Sequence, residues 1–237
     1  MKSRCFCIAF FLTILFSSLT GEGQTLPFRQ RLLLGATGGV NLSNVIFTPN
    51  VQQTFKVGYD GGLVFRYDVG HVYDLPSVTA GVWIEVDYSR RGWREQPDEL
   101  PEAFEGKTFY YERKLSFISI PMMTHLMFGN KRLKFTVDAG PQFGYLIGES
   151  SDGTFPEGGI VGVVTRQQSM PVENKFAWGL GGGIGVEYHL NKMIFGVRGA
   201  YVYGLGEIYG NTRGDYFGKS SEQVFSLKAY VLFDLMN

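Results

Sequence analysis

Residues 132–148 read RLKFTVDAGPQFGYLIG, and their order decides the fold. Leu133, Phe135, Val137, Ala139, Pro141, Phe143, Tyr145 and Ile147 fall on one side of an extended chain. Lys134, Thr136, Asp138, Gly140, Gln142, Gly144 and Gly148 fall on the other, and Leu146 alone breaks the pattern. A period of two places successive side chains on opposite faces of a β-strand. A run of this length is far longer than the roughly 5–6 residues of an ordinary strand.

The pattern recurs to either side. Residues 174–190 (NKFAWGLGGGIGVEYHL) set Phe176, Trp178, Leu180, Ile184, Val186, Tyr188 and Leu190 against Lys175, four glycines, Glu187 and His189. The run Gly179–Gly185 superficially matches a dinucleotide loop. That loop needs a strand, a turn and a helix N-terminus, whereas here the alternation passes straight through the glycines. Six further segments alternate in the same way, at about 31–42, 53–67, 77–90, 111–128, 193–207 and 222–235. Between them, connections at 43–52, 91–110, 149–173 and 208–221 alternate with short ones at 68–76, 129–131 and 191–192. Long connections at one end and tight turns at the other mark a membrane barrel. The expectation is an all-β fold, an eight-stranded antiparallel up-and-down transmembrane β-barrel with both termini in the periplasm.

Composition agrees. Among 237 residues there are 32 glycines and 15% aromatics, but only 19% charged side chains, against roughly 25% in a soluble domain. Lys plus Arg and Asp plus Glu are equal at 22 each, so no net charge draws the chain to nucleic acid. The start is basic (Lys2, Arg4), then apolar over residues 5–16, then small and polar to Gln24. That is the order of a secretory signal peptide, and its apolar run is short of the roughly 20 residues of a membrane-spanning helix. The expected domains are a signal peptide, 1–23, and the barrel, 24–237. Cys5 and Cys7 both lie in the leader, so the barrel would contain no disulfide or thiolate site.

The content of the two faces says which one meets lipid. The polar face carries charges of both signs in mid-strand and most of the strand glycines, which suit a narrow interior beside large side chains such as Trp83 and Phe117. The apolar face carries Tyr59, Tyr67, Tyr88, Tyr145, Trp178, Tyr188 and Tyr201, several near strand ends, as aromatic girdles at the two membrane interfaces would. The alternative, a soluble lipocalin-like barrel, would turn the apolar face inward around a ligand.

Five segments carry a family resemblance: GATGGVNLS at 35–43, GVWIEVDYSRRG at 81–92, LSFISIP at 115–121, VDAGPQFG at 137–144, and GLGGGIGVEY at 179–188, followed by 198–203. In this order they resemble the PorT-like outer-membrane β-barrel proteins of Bacteroides-type, Gram-negative bacteria. The resemblance implies an eight-stranded outer-membrane barrel. One named member takes part in protein secretion, an activity the resemblance does not by itself transfer.

Chemistry is sparse. His71, His125 and His189 lie in separate segments without ligand spacing, and no catalytic, cofactor-binding or metal site is expected. The strongest candidate cluster is a lumenal ion-pair network of Arg66, Glu85, Asp87, Lys134, Asp138, Glu187, Arg198 and Lys228. Arg31, Arg113, Lys175, Asp60 and Asp234 are expected on the same face. Charges enclosed in a barrel are tolerable only when paired, so the lumen is expected to be plugged. Arg91, Trp93 and Arg94 open a loop that is the candidate surface for a protein partner. The implied protein is a non-enzymatic, monomeric barrel in outer-membrane lipid, with a structural, adhesive or scaffolding role through its loops. The main alternative is a secretion-linked accessory barrel.

Overall fold

In a computed structural model the described residues are 30–72, 75–95, 110–154, 166–212 and 215–236. The expected leader, 1–23, lies outside them, as do 96–109 and 155–165 of the expected connections. The strands are β1 (Arg31–Thr48), β2 (Gln53–Thr54), β3 (Lys56–Val72), β4 (Leu75–Glu95), β5 (Tyr110–Gly129), β6 (Leu133–Thr154), β7 (Phe176–Leu190), β8 (Met193–Glu207) and β9 (Lys219–Asp234), with one helical turn, α1 (Arg166–Ser169). Every pairing is antiparallel. β2 only caps the tip of β4, through Gln53 opposite Glu95. The other eight strands pair in the ring β4-β3-β1-β9-β8-β7-β6-β5, which the β4–β5 ladder closes. The expected eight-stranded barrel is the one formed.

One end holds the tight turns and both described termini. There Asn191 adopts φ 49°, the left-handed conformation that asparagine tolerates in a two-residue hairpin turn. At the loop end the strands run further than their alternation suggests. Residues 43–48, 91–95 and 149–154, expected in loops, belong to β1, β4 and β6, whereas of 53–55, expected to open the second strand, Gln53 and Thr54 form the separate β2 and Phe55 lies between β2 and β3. In β6 the cause is a bulge. Phe117 pairs with Leu146 but Ser116 pairs with Gly148, so Ile147 is an extra residue. A bulge reverses the facing of all that follows, and the simple alternation stops there although the strand does not. β6 has 22 residues, which at about 3.3 Å each and about 40° tilt rise roughly 55 Å, against an apolar band of about 25 Å. The barrel therefore stands well clear of the bilayer at its loop end.

The faces are unambiguous. Ile184 is 70% exposed, Leu63 64% and Phe135 59%, while Arg66, Glu85 and Glu187 are fully buried. The apolar face points outward, and the lipocalin-like arrangement is not adopted. Tyr59 and Tyr88 pack at 6.1 Å on the outer wall toward the loop end, and Tyr67 and Tyr188 lie toward the turn end. Inside, Leu33, Val64, Trp83, Met123, Ile194, Tyr230 and Leu232 form one apolar cluster. A second, nearer the loops, joins Val45, Phe47, Trp93, Leu115, Phe117 and Leu146 to Val172, Ile208, Tyr209 and Phe217 from the connecting segments. Leu146, the exception in the opening pattern, faces inward to join it.

Because Ile184 sits mid-strand on the outer wall, Ile184→Arg is expected to destabilise the barrel by about 2–4 kcal/mol, as arginine does at a bilayer midplane. Reversible urea unfolding in vesicles measures this, with Ile184→Val as the near-neutral control.

Candidate functional site in the barrel lumen

The inward parity of six strands brings the expected charges together. β3 contributes Arg66, β4 Glu85 and Asp87, β6 Asp138, β7 Glu187, β8 Arg198 and β9 Lys228. Arg66 pairs with Glu187 at 2.6 Å and with Asp68 at 2.9 Å. Lys228 bridges Glu85 at 2.7 Å and Asp87 at 2.5 Å. Arg198 pairs closely with Glu85 and approaches Asp138 at 3.8 Å. Each of these residues is 4% exposed or less except Lys228, at 6%.

Aromatic and neutral groups complete the network. Trp83 donates its indole N–H to Glu85 at 2.6 Å, and the Tyr230 hydroxyl donates to Glu187 at 2.8 Å. The Arg198 and Arg66 guanidinium carbons lie 4.8 and 5.9 Å from the Trp83 ring centroid, within cation–π reach. Asn41 donates to Asp60 at 2.9 Å. At the turn-end mouth Arg31 pairs with Asp234 at 3.0 Å and meets His189 at 3.5 Å.

The histidines depart from expectation. His125 contacts Asp138 at 2.5 Å and Glu187 at 3.4 Å, and His189 contacts Glu187 at 2.9 Å. Two histidines thus converge on one carboxylate, which their sequence spacing hides because β5 and β7 are separated by β6. Five carboxylates (Asp68, Glu85, Asp87, Asp138, Glu187) face three permanent cations (Arg66, Arg198, Lys228). Among the described residues no group of three or more His, Asp or Glu is arranged to hold a metal ion.

Other expected members sit apart. Lys134 is half-buried opposite Glu187 in the β6–β7 register, with no described carboxylate at ion-pair distance. Lys175 is exposed, just ahead of β7. Arg113 belongs to the loop-end half and pairs with Glu149 at 3.3 Å, a carboxylate that the β6 bulge turns inward. Asp68 was readable on the face of Arg66 but fell in a presumed turn.

The candidate partner loop needs correction. Arg91, Trp93 and Arg94 lie in β4, not in a loop. Trp93 is fully buried against Phe47 at 5.4 Å and donates to Glu95 at 2.7 Å. Arg91 is 3% exposed, pairs with Glu222 at 3.1 Å and lies 4.0 Å from the Phe117 ring centroid. Both follow the inward parity of Glu85 and Asp87, which continues through Gly92. Gly92 has φ 142° and a would-be Cβ only 2.0 Å from the Arg113 carbonyl, so it marks a position for glycine rather than the end of the strand. Arg94 alone faces outward, with its guanidinium carbon 4.5 Å from the Tyr110 ring centroid.

Removing one member of a buried ion pair strands its partner, at a cost of about 3–5 kcal/mol. Glu85→Leu, which leaves Arg198 and Lys228 facing each other, is expected to lose that much stability in urea unfolding. Lys134→Met, without an ion-pair partner, is expected to change it by less than about 1 kcal/mol.

The model of the outer membrane protein beta-barrel domain family matches residues 23–210. No curated protein matches. Among solved structures, the crystal structure of Neisserial surface protein A (NspA) is similar at TM-score 0.43 and 14% identity, over 86% of this chain and 97% of that one. The family match spans most of the chain, from the segment before β1 to the end of β8. The chain belongs to the outer membrane protein beta-barrel domain family.

Proposed function

We propose that this outer-membrane protein is a sealed, non-conducting and non-enzymatic barrel. Its role is structural, adhesive or scaffolding, exercised at the cell surface by the loop end. The observation that carries this reading is the filling of the lumen at two levels. At mid-height Arg66, Trp83, Glu85, His125, Glu187 and Arg198 are buried against one another. Above them, Phe47, Trp93, Phe117, Leu146, Tyr209 and Phe217 pack in an apolar cluster, with Arg91 stacked on Phe117 and Glu95 bonded to Trp93. An ion would have to break the buried pairs of the first layer and then pass between the packed rings of the second, and each step is costly.

The rest of the reading follows from topology. Export by residues 1–23 leaves the described termini and tight turns in the periplasm, and the loop end outside. A closed ring of eight strands offers no free edge for strand addition, which favours a monomer embedded in outer-membrane lipid. The ordered motifs at 35–43, 81–92, 115–121, 137–144 and 179–188 favour the PorT-like branch. Any protein partner would meet the loop-end connections, not Arg91 or Trp93.

Purified, folded protein in planar bilayers is expected to pass no steady current. Stable porin-like steps would overturn the sealed-barrel reading.

A further inference from the structure

The β7–β8 seam is interrupted at one height. Its ladder runs unbroken from Leu190 opposite Met193 to Gly179 opposite Gly204. It resumes only where the backbone N–H groups of Glu173 and Asn174 donate to the Ile208 carbonyl at 3.2 and 3.0 Å. Between these points Phe176, Ala177 and Trp178 pair with β6 and not with β8. On the other side of β8 the register with β9 slips between Tyr203 and Glu207, where Gly204-Leu205-Gly206 lies opposite Glu222 alone. Unpaired backbone is expensive beside hydrocarbon, and bulges of this kind re-aim side chains next to sites.

Behind the gap is a small, half-open cavity. Its walls mix lumenal groups (Arg91, Gln142, Glu222) with two residues of the outer wall, Phe143 and Trp178. Trp178 lies across the gap: a Cβ added at Gly206 would come within 3.1 Å of its ring. Arg91 and Glu222 hold each other through one nitrogen and one oxygen. The Arg91 Nε and the Glu222 Oε1 are buried without hydrogen-bond partners. A donor and an acceptor are thus left over on one wall.

We propose that this side pocket binds the neutral, hydroxyl-bearing head of a single-chain membrane amphiphile, which enters through the β7–β8 gap. Its depth fits such a group, because Trp178 and Tyr145 place the gap at the level of the aromatic girdle, where polar lipid atoms lie. Its enclosed part has room for little more than one water-sized group, so a single hydroxyl of the head enters and the rest stays in the mouth. The chain remains outside, along Trp178, Phe143 and Phe176, of which the last two stack at 6.3 Å. A hydroxyl donates to Glu222 Oε1 and accepts from Arg91 Nε at once, which neither a carboxylate nor an alkane does.

The test uses the full mature barrel, folded in detergent and titrated with a monoacylglycerol, with retained adducts counted by native mass spectrometry. One saturable equivalent is expected, with binding at least roughly tenfold weaker for the matching fatty acid and for Glu222→Leu. Gly206→Val blocks the gap without touching the ion pair and is expected to abolish the adduct while the heat-modifiable band of the folded barrel persists. Absence of a saturable adduct, equal retention of the fatty acid, or unchanged binding by a folded Gly206→Val barrel would overturn the proposal.

Discussion

Backbone amides surrounded by hydrocarbon have no water to bond, and this constraint shapes the molecule. Every N–H and C=O at membrane depth must find a partner in a neighbouring strand, so the sheet has to close on itself. The β4–β5 ladder supplies that closure. Once the ring is closed with eight strands, its interior is only as wide as its side chains. Charge carried there has no water shell to rely on, and the Arg66–Glu187, Arg198–Glu85 and Lys228–Asp87 pairs follow from that geometry.

The lumen is organised by height. Toward the turn end, charges dominate and aromatic rings serve them, Trp83 and Tyr230 each donating a hydrogen bond to a carboxylate. Toward the loop end the balance reverses, and apolar rings from β1, β4 and β5 meet residues from the connecting segments. Arg91 lies between the two regimes, paired with Glu222 on one side and stacked on Phe117 on the other. The glycines on the inward face make this filling possible. At Gly196 a Cβ would fall 2.2 Å from the Tyr230 ring, whose hydroxyl is already committed to Glu187.

Much of this was legible in the amino-acid order because a membrane barrel repeats one rule, apolar outward and polar inward, in every strand. The rule located eight strands and most of the lumenal charges without any knowledge of their pairing. It failed where its physical cause lapses. Beyond the bilayer the outer face no longer needs to be apolar, so β1, β4 and β6 continue past the point where alternation ends. The β6 bulge reverses inside and outside at Ile147, which hid the inward turn of Glu149. Trp93 resembled a loop tryptophan because its neighbours are charged, yet its parity with Glu85 already placed it inside. His189 stands two residues from Glu187 on one face of β7, whereas His125 reaches Glu187 only because β5 and β7 flank β6, which no local spacing encodes.

The central claim is that hydrocarbon touches the outward row at mid-height. Single cysteines at positions 137, 184, 197 and 227, in a barrel of residues 24–237 that lacks Cys5 and Cys7, labelled with a fluorophore before folding into vesicles, test it directly. Acyl chains brominated near the bilayer centre should quench all four strongly, and a water-soluble quencher should leave them untouched. Efficient quenching from the aqueous phase, with no effect of the brominated chains, would contradict the account.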